Sequence, residues 1–212
     1  MRYPLILAVC FCFFSPKAAV LGQHYLGISG GGGINTDVLF RAAIPYEYSL
    51  SPQLSFQTEL SYIQRENRAL LQRLIGERNY RQAALSYLEL PILLKAKMSV
   101  KSFSVYVLAG PKLGYGLRFS ANYLEDSKLL EQRFDFDEEH IGRFDFGFNL
   151  GGGIEKRISK DRKIFIDYRF YLGLFDIDRL DETEVFNQGH VFNLGFLLPI
   201  RQAKNTKPQS KQ

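Results

Sequence analysis

Residues 103–119 read FSVYVLAGPKLGYGLRF, and every second residue from Phe103 to Phe119 is apolar. The residues between them are mostly small, polar or basic. This period of two predicts a β-strand with one apolar face. In a soluble sandwich the apolar face would look inward. In an outer-membrane barrel it would meet lipid, and the other face would line the lumen.

The same alternation recurs along the chain and predicts eight strands. They span residues 24–34, 38–50, 54–66, 82–98, 103–120, 143–158, 163–176 and 189–200. Short connections of three or four residues alternate with long charged ones, such as residues 121–142. Short turns at one end and longer loops at the other are typical of outer-membrane barrels. The sequence therefore predicts an all-β fold, an eight-stranded antiparallel up-and-down transmembrane β-barrel with short periplasmic turns and longer outer loops.

A soluble lipocalin-like barrel is the alternative fold, in which the apolar faces would line an internal cavity. Glycines such as Gly114 and Gly151 fall mainly on the polar face. That placement favours the membrane barrel, because eight strands leave little room in the lumen. Pro45, Pro91 and Pro111 lie inside predicted strands, and because proline cannot donate to a ladder, we expect bulges there.

The first residues predict export. A basic Arg2, an apolar run from Leu5 to Phe14 and a small-residue end near Gly22 are typical of a secretory signal peptide. We expect residues 1–22 to be the signal peptide, 23–200 the barrel and 201–212 a polar, basic tail. Both cysteines lie in the first segment, which predicts a barrel without disulfides. The expected location is the outer membrane of the cell.

Charge argues against a nucleic-acid partner. The formal net charge is +5 at pH 7, and the basic residues are scattered along the chain rather than clustered. The expected surroundings are outer-membrane lipid and other envelope or secretion proteins, with the chain itself a monomer.

Charged residues also occupy the polar face of the strands, where they would line the lumen. Twelve are predicted there, six acidic and six basic: Arg41, Glu47, Glu59, Glu89, Lys95, Lys97, Lys112, Arg118, Asp145, Glu155, Asp167 and Arg169. Opposite charges in a confined interior are expected to pair, because an unpaired buried charge costs several kcal/mol. We therefore predict a salt-bridged lumen without an open channel, with a charge network of Glu59, Glu89, Lys95, Lys112, Asp145, Glu155, Asp167 and Arg169.

Other chemistry has weaker support. A surface hydrolase would need His140 or His190 beside a nucleophile and an orienting acid, and no serine is near either in sequence. Two acidic groups could bind a divalent cation through oxygen ligands, but neither has the spacing of a calcium loop. These are Asp135, Asp137, Glu138, Glu139 with His140, and Asp176, Asp178, Asp181 with Glu182. Solvated loop charge is the favoured interpretation, and we expect no catalytic residue, no metal and no cofactor.

Several segments resemble a known family. They are ELSY at 59–62, YLELPILLK at 87–95, AGPKLGY at 109–115, FGFNLGGG at 146–153 and DYRFYLGL at 167–174. With these segments the chain resembles the PorT-type outer-membrane β-barrel family of Gram-negative bacteria, a porin-like family. The resemblance implies a fold and an outer-membrane address more than an activity. One branch of that family is linked to a protein-secretion and gliding apparatus, which gives an alternative function.

Together these patterns predict an outer-membrane barrel with a structural or interaction role and no catalysis. The long outer loops, rather than the lumen, are expected to carry any specificity, because exposed loops on a rigid scaffold tolerate variation. A component of a secretion apparatus, a surface hydrolase and a soluble ligand-binding barrel are the alternatives.

Overall fold

A computed structural model of the chain describes residues 22–33, 38–66, 80–125, 128–159, 162–177 and 185–200. The predicted signal peptide, apart from Gly22, and the predicted tail at 201–212 lie outside these ranges. The described residues contain no helix long and apolar enough to cross a bilayer.

Nine antiparallel strands make up a single sheet. They are β1 (Gln23–Gly32), β2 (Val38–Ser49), β3 (Leu54–Arg65), β4 (Tyr80–Val100), β5 (Phe103–Glu125), β6 (Lys128–Phe134), β7 (Phe144–Arg157), β8 (Lys163–Gly173) and β9 (Gln188–Ile200). Eight of them pair in the ring order β4-β3-β2-β1-β9-β8-β7-β5, and β5 pairs back with β4 to close it. The short β6 pairs with β5 outside this ring. The predicted eight-stranded barrel is therefore confirmed.

The two ends of the barrel differ in their connections. The connections 50–53, 101–102 and 158–162 lie at one end, together with the start of β1 and the end of β9. We name this the turn end. The opposite end, named the loop end, carries the connections between β1 and β2, β3 and β4, β6 and β7, and β8 and β9. The first and last strands pair along their length, from His24 with Ile200 at the turn end to Gly32 with Phe192 towards the loop end.

The outer surface of the barrel is apolar on all eight strands. Outward positions carry side chains such as Leu150, which is 57% exposed, and Leu194, which is 66% exposed. The inward positions alternate with them and are buried. A lipocalin-like barrel would place its apolar faces inside, so the observed surface is the opposite of that alternative and is suited to lipid.

Aromatic side chains lie near both rims of this apolar surface. Tyr115 and Phe144 meet near the loop end with ring centroids 5.2 Å apart. At the turn end, Tyr46 and Tyr48 pack beside His24. Such rings suit the boundary between hydrocarbon and water, because they combine an apolar body with a polar tip.

The three prolines do not produce the predicted bulges. Pro45 stays in register with β3, and the β4–β5 register is the same on both sides of Pro91 and Pro111. The ladder between β4 and β5 instead has a gap between Pro91 and Leu94, and pairing then continues in the same register. The Thr58 hydroxyl donates to the Pro91 carbonyl at 3.0 Å and satisfies an acceptor beside that gap. The strands therefore keep one register past all three prolines, and the predicted bulges are absent there.

The outward face can be tested by placing a charge at mid-height. Leu150 pairs with Ala109 halfway along the ladder between β5 and β7, so Leu150→Arg is expected to lower the free energy of unfolding in lipid vesicles by about 2–4 kcal/mol. Ile158→Arg at the turn end is the matched control, and its expected cost is about 0–1 kcal/mol. Urea unfolding followed by heat-dependent gel mobility measures both. Equal stability of the two variants would contradict a lipid-facing Leu150.

Candidate functional site

The lumen is filled by buried charged side chains. Among the described residues, thirteen charged side chains point inward, and none is more than 7% exposed. Seven are basic and six acidic: Arg41, Arg65, Lys95, Lys97, Lys112, Lys163 and Arg169 against Glu47, Glu59, Glu89, Asp145, Glu155 and Asp167. They form three clusters along the barrel, described below from the middle outward.

The central cluster comprises Arg41, Glu59, Asp167 and Arg169. Arg169 makes a bidentate pair with Glu59, with both N–O distances at 2.9 Å, and it also reaches Asp167 at 2.8 and 2.9 Å. Arg41 pairs with the same Glu59 carboxylate. Asn193 accepts from Arg41 at 2.9 Å and donates to Asp167 at 2.8 Å. Two guanidinium groups and two carboxylates therefore balance each other at mid-height.

The loop-end cluster comprises Arg65, Glu89, Lys112 and Asp145. Lys112 donates to Glu89 at 3.0 Å and to Asp145 at 2.8 Å. Arg65 reaches the same two carboxylates at 2.5 and 3.3 Å. The Arg65 guanidinium also lies 3.8 Å from the ring centroid of Tyr171, a cation–π contact. This cluster is also neutral, with two charges of each sign.

The turn-end cluster comprises Glu47, Lys95, Lys97, Glu155 and Lys163. Each of the three ammonium groups lies 2.6–2.9 Å from Glu47. The same three groups lie 2.7, 3.4 and 3.8 Å from Glu155. Three positive charges share two carboxylates, so this cluster carries one excess positive charge.

The eight residues predicted for the lumen network are distributed over all three clusters. Glu59, Asp167 and Arg169 lie in the central cluster. Glu89, Lys112 and Asp145 lie in the loop-end cluster, and Lys95 and Glu155 in the turn-end cluster.

Sequence reasoning missed two inward charges and misplaced one. Arg65 and Lys163 are inward but were absent from the predicted set, although they share the odd-numbered parity of Glu59 and Asp167 on their strands. Extending the alternation to the strand ends would have found both. Arg118 was predicted to line the lumen and is instead exposed on the outside, where it pairs with Glu131. This prediction was wrong because the register of β5 shifts just before Arg118.

Apolar side chains fill the lumen between and beyond the charges. Near the turn end, Tyr25, Leu93, Tyr106, Leu108, Phe165 and Leu197 form one buried group. Near the loop end, a second group includes Val38, Ile63, Leu85, Phe119, Phe136 and Ile141. Together with the ion pairs, these side chains occupy the space inside the ring. The structure is therefore a packed barrel, as is usual for eight strands.

A small sheet extends the barrel at the loop end. β5 continues past Tyr115, its last partner position with β7, and its residues 119–125 pair with β6. β4 also extends past Leu85, its last partner position with β3. We name residues 80–86, 117–125 and 128–134 the loop-end sheet. Sequence analysis predicted a long loop at 121–142 and missed β6.

The loop-end sheet has an apolar side and a charged side. Phe119 stacks on Phe134 with ring centroids 4.9 Å apart. On the other side, Glu131 pairs with Arg118 and lies 3.8 Å from Arg133. Among the described residues β6 pairs with β5 alone, so its second edge is a strand edge without a ladder partner.

Residues 135–143 fold back over the mouth of the barrel. Phe136 and Ile141 are each only 2% exposed, and the N–H of Ile141 donates to the carbonyl of Phe136 at 2.7 Å. Arg143 contacts Asp137 at 3.1 Å, and the hydrogen bond it donates there raises the pKa of its guanidinium. The segment therefore closes the loop end with an apolar plug and an exposed charged rim.

The first group of acidic residues considered as cation ligands lies in the same rim. Asp135 and Asp137 lie 3.6 and 3.1 Å from Arg143, so an arginine already neutralises part of their charge. Asp178, Asp181 and Glu182 lie outside the described residues. Over the ranges that the structure describes, no three His, Cys, Asp or Glu side chains come together as a metal-binding group.

The three histidines lie apart from one another. His190 hydrogen-bonds the Tyr168 hydroxyl and stacks on its ring on the outer surface. The ring of His140 lies 3.1 Å from the Glu138 carbonyl, and His24 contacts the Tyr46 hydroxyl at 2.6 Å. None of these bonds pairs a histidine with a serine and an orienting acid, which is the arrangement that nucleophilic catalysis requires.

The sequence model of the outer membrane protein beta-barrel domain matches residues 23–179. The chain belongs to this family. Bacterial outer-membrane β-barrels place their tight turns in the periplasm and their longer loops outside the cell, so we expect the turn end to face the periplasm and the loop end the exterior. No curated protein matches the sequence.

Three solved structures of outer-membrane proteins are similar to this chain. Neisserial surface protein A is 8% identical, with a TM-score of 0.49 over 86% of this chain and 99% of that one. The N-terminal β-barrel domain of Pseudomonas aeruginosa OprF is 12% identical, with a TM-score of 0.45 over 84% and 99%. Ail of Yersinia pestis is 10% identical, with a TM-score of 0.42 over 84% and 97%.

The central cluster provides a stability test. Glu59→Gln removes the carboxylate that Arg41 and Arg169 share, so we expect it to lower the free energy of unfolding by about 3–5 kcal/mol, as for other broken buried pairs. Glu131→Gln breaks an exposed pair with Arg118 and is expected to cost under about 1 kcal/mol. Urea titration of both variants in the same lipid vesicles gives the comparison. A cost for Glu59→Gln as small as that for Glu131→Gln would show that the central pairs contribute little.

Proposed function

We propose that this protein is an outer-membrane barrel with an interaction role, in which the loop-end sheet presents the recognition surface. The observation that carries this proposal is the extension of β4, β5 and β6 beyond the ring, with a strand edge at β6. An unpaired edge offers N–H and C=O groups to a strand of a partner. Buried apolar contacts hold the sheet in place below that edge.

The packed lumen supports a role without transport. The central and loop-end clusters are neutral and fully engaged in ion pairs, and apolar side chains fill the space around them. A conducting path would require breaking several buried pairs at once, which is costly for each charge left unpaired. We propose that the barrel is a monomeric scaffold without catalytic activity, and that its specificity lies outside the ring.

The PorT-type resemblance gives the second candidate. One of its segments, YLELPILLK at 87–95, lies in β4, the strand that runs from the turn end into the loop-end sheet. If the chain belongs to the secretion-linked branch, the partners of the loop-end sheet are other envelope proteins of one assembly. We also propose that residues 1–22 act as a cleaved signal peptide that delivers the barrel to the membrane.

Site-specific photo-crosslinking in intact cells tests the interaction role. A benzophenone side chain at Glu131, which is exposed on β6, is expected to yield a discrete protein adduct. The same probe at Leu150 faces lipid and is the matched control. Mass spectrometry of the adduct distinguishes a single interaction partner from a secretion assembly, because recovery of several envelope proteins together favours the assembly.

A shortened hairpin provides the second arm of this test. Ser120 pairs with Arg133, so replacing residues 121–132 with Asn-Gly joins the two strands through a turn that hairpins favour. The shortened barrel is expected to keep its heat-dependent gel mobility and to lose the partner. Unchanged recovery of the partner by the shortened barrel would overturn the proposal that the loop-end sheet carries recognition.

A further inference from the structure

A cleft of about 360 Å³ opens at the turn end of the barrel. Its wall is formed by the β4–β5 turn, the last residues of β7 and the first residue of β8. Two members of the turn-end cluster, Glu155 and Lys163, line it. None of the residues considered above for recognition or catalysis does. We name it the turn-end cleft.

The wall of the turn-end cleft is rich in positive charge. Lys101, Arg157 and Lys163 line it, and Glu155 is its one acidic residue. Glu155 is already shared by the three ammonium groups of the turn-end cluster. In the part of the chain that the structure describes, neither Lys101 nor Arg157 forms an ion pair. The cleft thus combines one excess buried charge with two exposed basic side chains.

Hydroxyl groups complete the polar wall. Ser99, Ser102 and Ser104 all line the cleft, and the oxygens of Ser99 and Ser104 lie 3.3 Å apart across the hairpin. A hydroxyl can donate a hydrogen bond to an anionic oxygen while lysine and arginine supply the charge. This donor set suits a phosphate group, which offers several acceptor oxygens close together.

The turn that carries Lys101 is unusual. Lys101 has a φ of 54°, a left-handed conformation in which residues other than glycine are uncommon and asparagine is favoured among them. A lysine therefore occupies a backbone position that suits other residues better. The energetic cost of this left-handed backbone conformation is consistent with a role for the Lys101 ammonium group in the cleft wall.

One lining residue indicates where the ligand comes from. Phe103 lines the cleft and is also 36% exposed on the outward apolar face. The cleft therefore borders the surface that meets lipid, at the end that faces the periplasm. Phospholipid headgroups lie at this depth, and basic side chains near a membrane surface attract anionic lipids.

We propose that the turn-end cleft binds the phosphate group of a phospholipid headgroup. Lys101 and Arg157 supply the charge at the entrance, the three serines supply hydrogen bonds, and Phe103 contacts the lipid beside its headgroup. Bound lipid would fix the β4–β5 and β7–β8 turns to the membrane surface. This inference concerns the opposite end of the barrel from the loop-end sheet and does not depend on its role.

Native mass spectrometry of the folded barrel in a neutral maltoside detergent tests the proposal. Titration with dioleoyl phosphatidylglycerol is expected to show one lipid bound per barrel at low lipid concentration. The double variant Lys101→Asn with Arg157→Gln is expected to weaken that binding at least tenfold. Asparagine suits the left-handed turn, so the change at residue 101 removes charge without straining the backbone.

Lys156→Gln is the matched control, because Lys156 is exposed on the neighbouring position of β7 and does not line the cleft. Its affinity for phosphatidylglycerol is expected to stay within twofold of the unmodified barrel. Heat-dependent gel mobility confirms that every variant is folded. Equal loss of lipid in the control and the double variant would overturn the cleft as the site.

Soluble glycerol phosphate distinguishes the two sources of phosphate. Competition only at concentrations at least a hundredfold above those of the lipid is the expected result, since the soluble compound lacks the contact at Phe103. Competition by glycerol phosphate at the same concentration as the lipid would overturn the assignment to a lipid headgroup.

Discussion

Closure of the backbone ladder is the constraint on which the other features of this barrel depend. Lipid offers no partner for N–H and C=O groups, so a strand can cross it only when both of its edges are paired. Here β1 pairs with β9 and β4 with β5, and the ring has no free edge within the membrane. A ring of eight strands is narrow, and its interior must be filled by its own side chains. The alternation of apolar and polar residues follows directly, with the apolar set outside.

The narrow lumen explains why the inward charges meet as clusters rather than as separate pairs. Arg169 on β8 reaches Glu59 on β3, on the other side of the ring, and Lys112 on β5 joins carboxylates on both neighbouring strands. Buried pairs of this kind add little stability over apolar packing. They do oppose misalignment, because a shift of one residue would move a charged strand face into lipid. Their contribution is therefore to the choice of register.

The eight-stranded ring could be predicted from the sequence because each strand has lipid on one face and a narrow lumen on the other. These two surroundings require apolar and polar residues to alternate with a period of two. Eight strands, their order and the inward face of residues such as Glu59 and Lys112 all follow from that period. The period of two does not predict which charged side chains contact each other. The contact of Arg169 with Glu59, for example, depends on the tilt and stagger of strands far apart in sequence. The prediction of bulges at the three prolines was wrong for a related reason. Beside Pro91 the ladder has a gap instead of a bulge, and the Thr58 hydroxyl bonds the Pro91 carbonyl there. A pattern of residue types does not reveal this arrangement.

The failure at Arg118 has a local cause in β5. From Tyr106 to Gly116 the even-numbered residues face inward, whereas beyond Leu117 the inward residues are Phe119 and Ala121. The register with β4 skips Leu117, as expected for a bulge that inserts one extra residue.

This inversion marks the level at which the chain leaves the membrane. Without the extra residue, Arg118 would enter the lumen and Phe119 would face outward. With it, Phe119 joins the apolar plug at the mouth, and Arg118 lies outside beside Glu131. A charged outer face is stable only in water or among lipid headgroups, so the bulge separates the lipid-facing ring from the exposed sheet. One inserted residue thus converts a strand of the barrel into the base of a surface that water can reach.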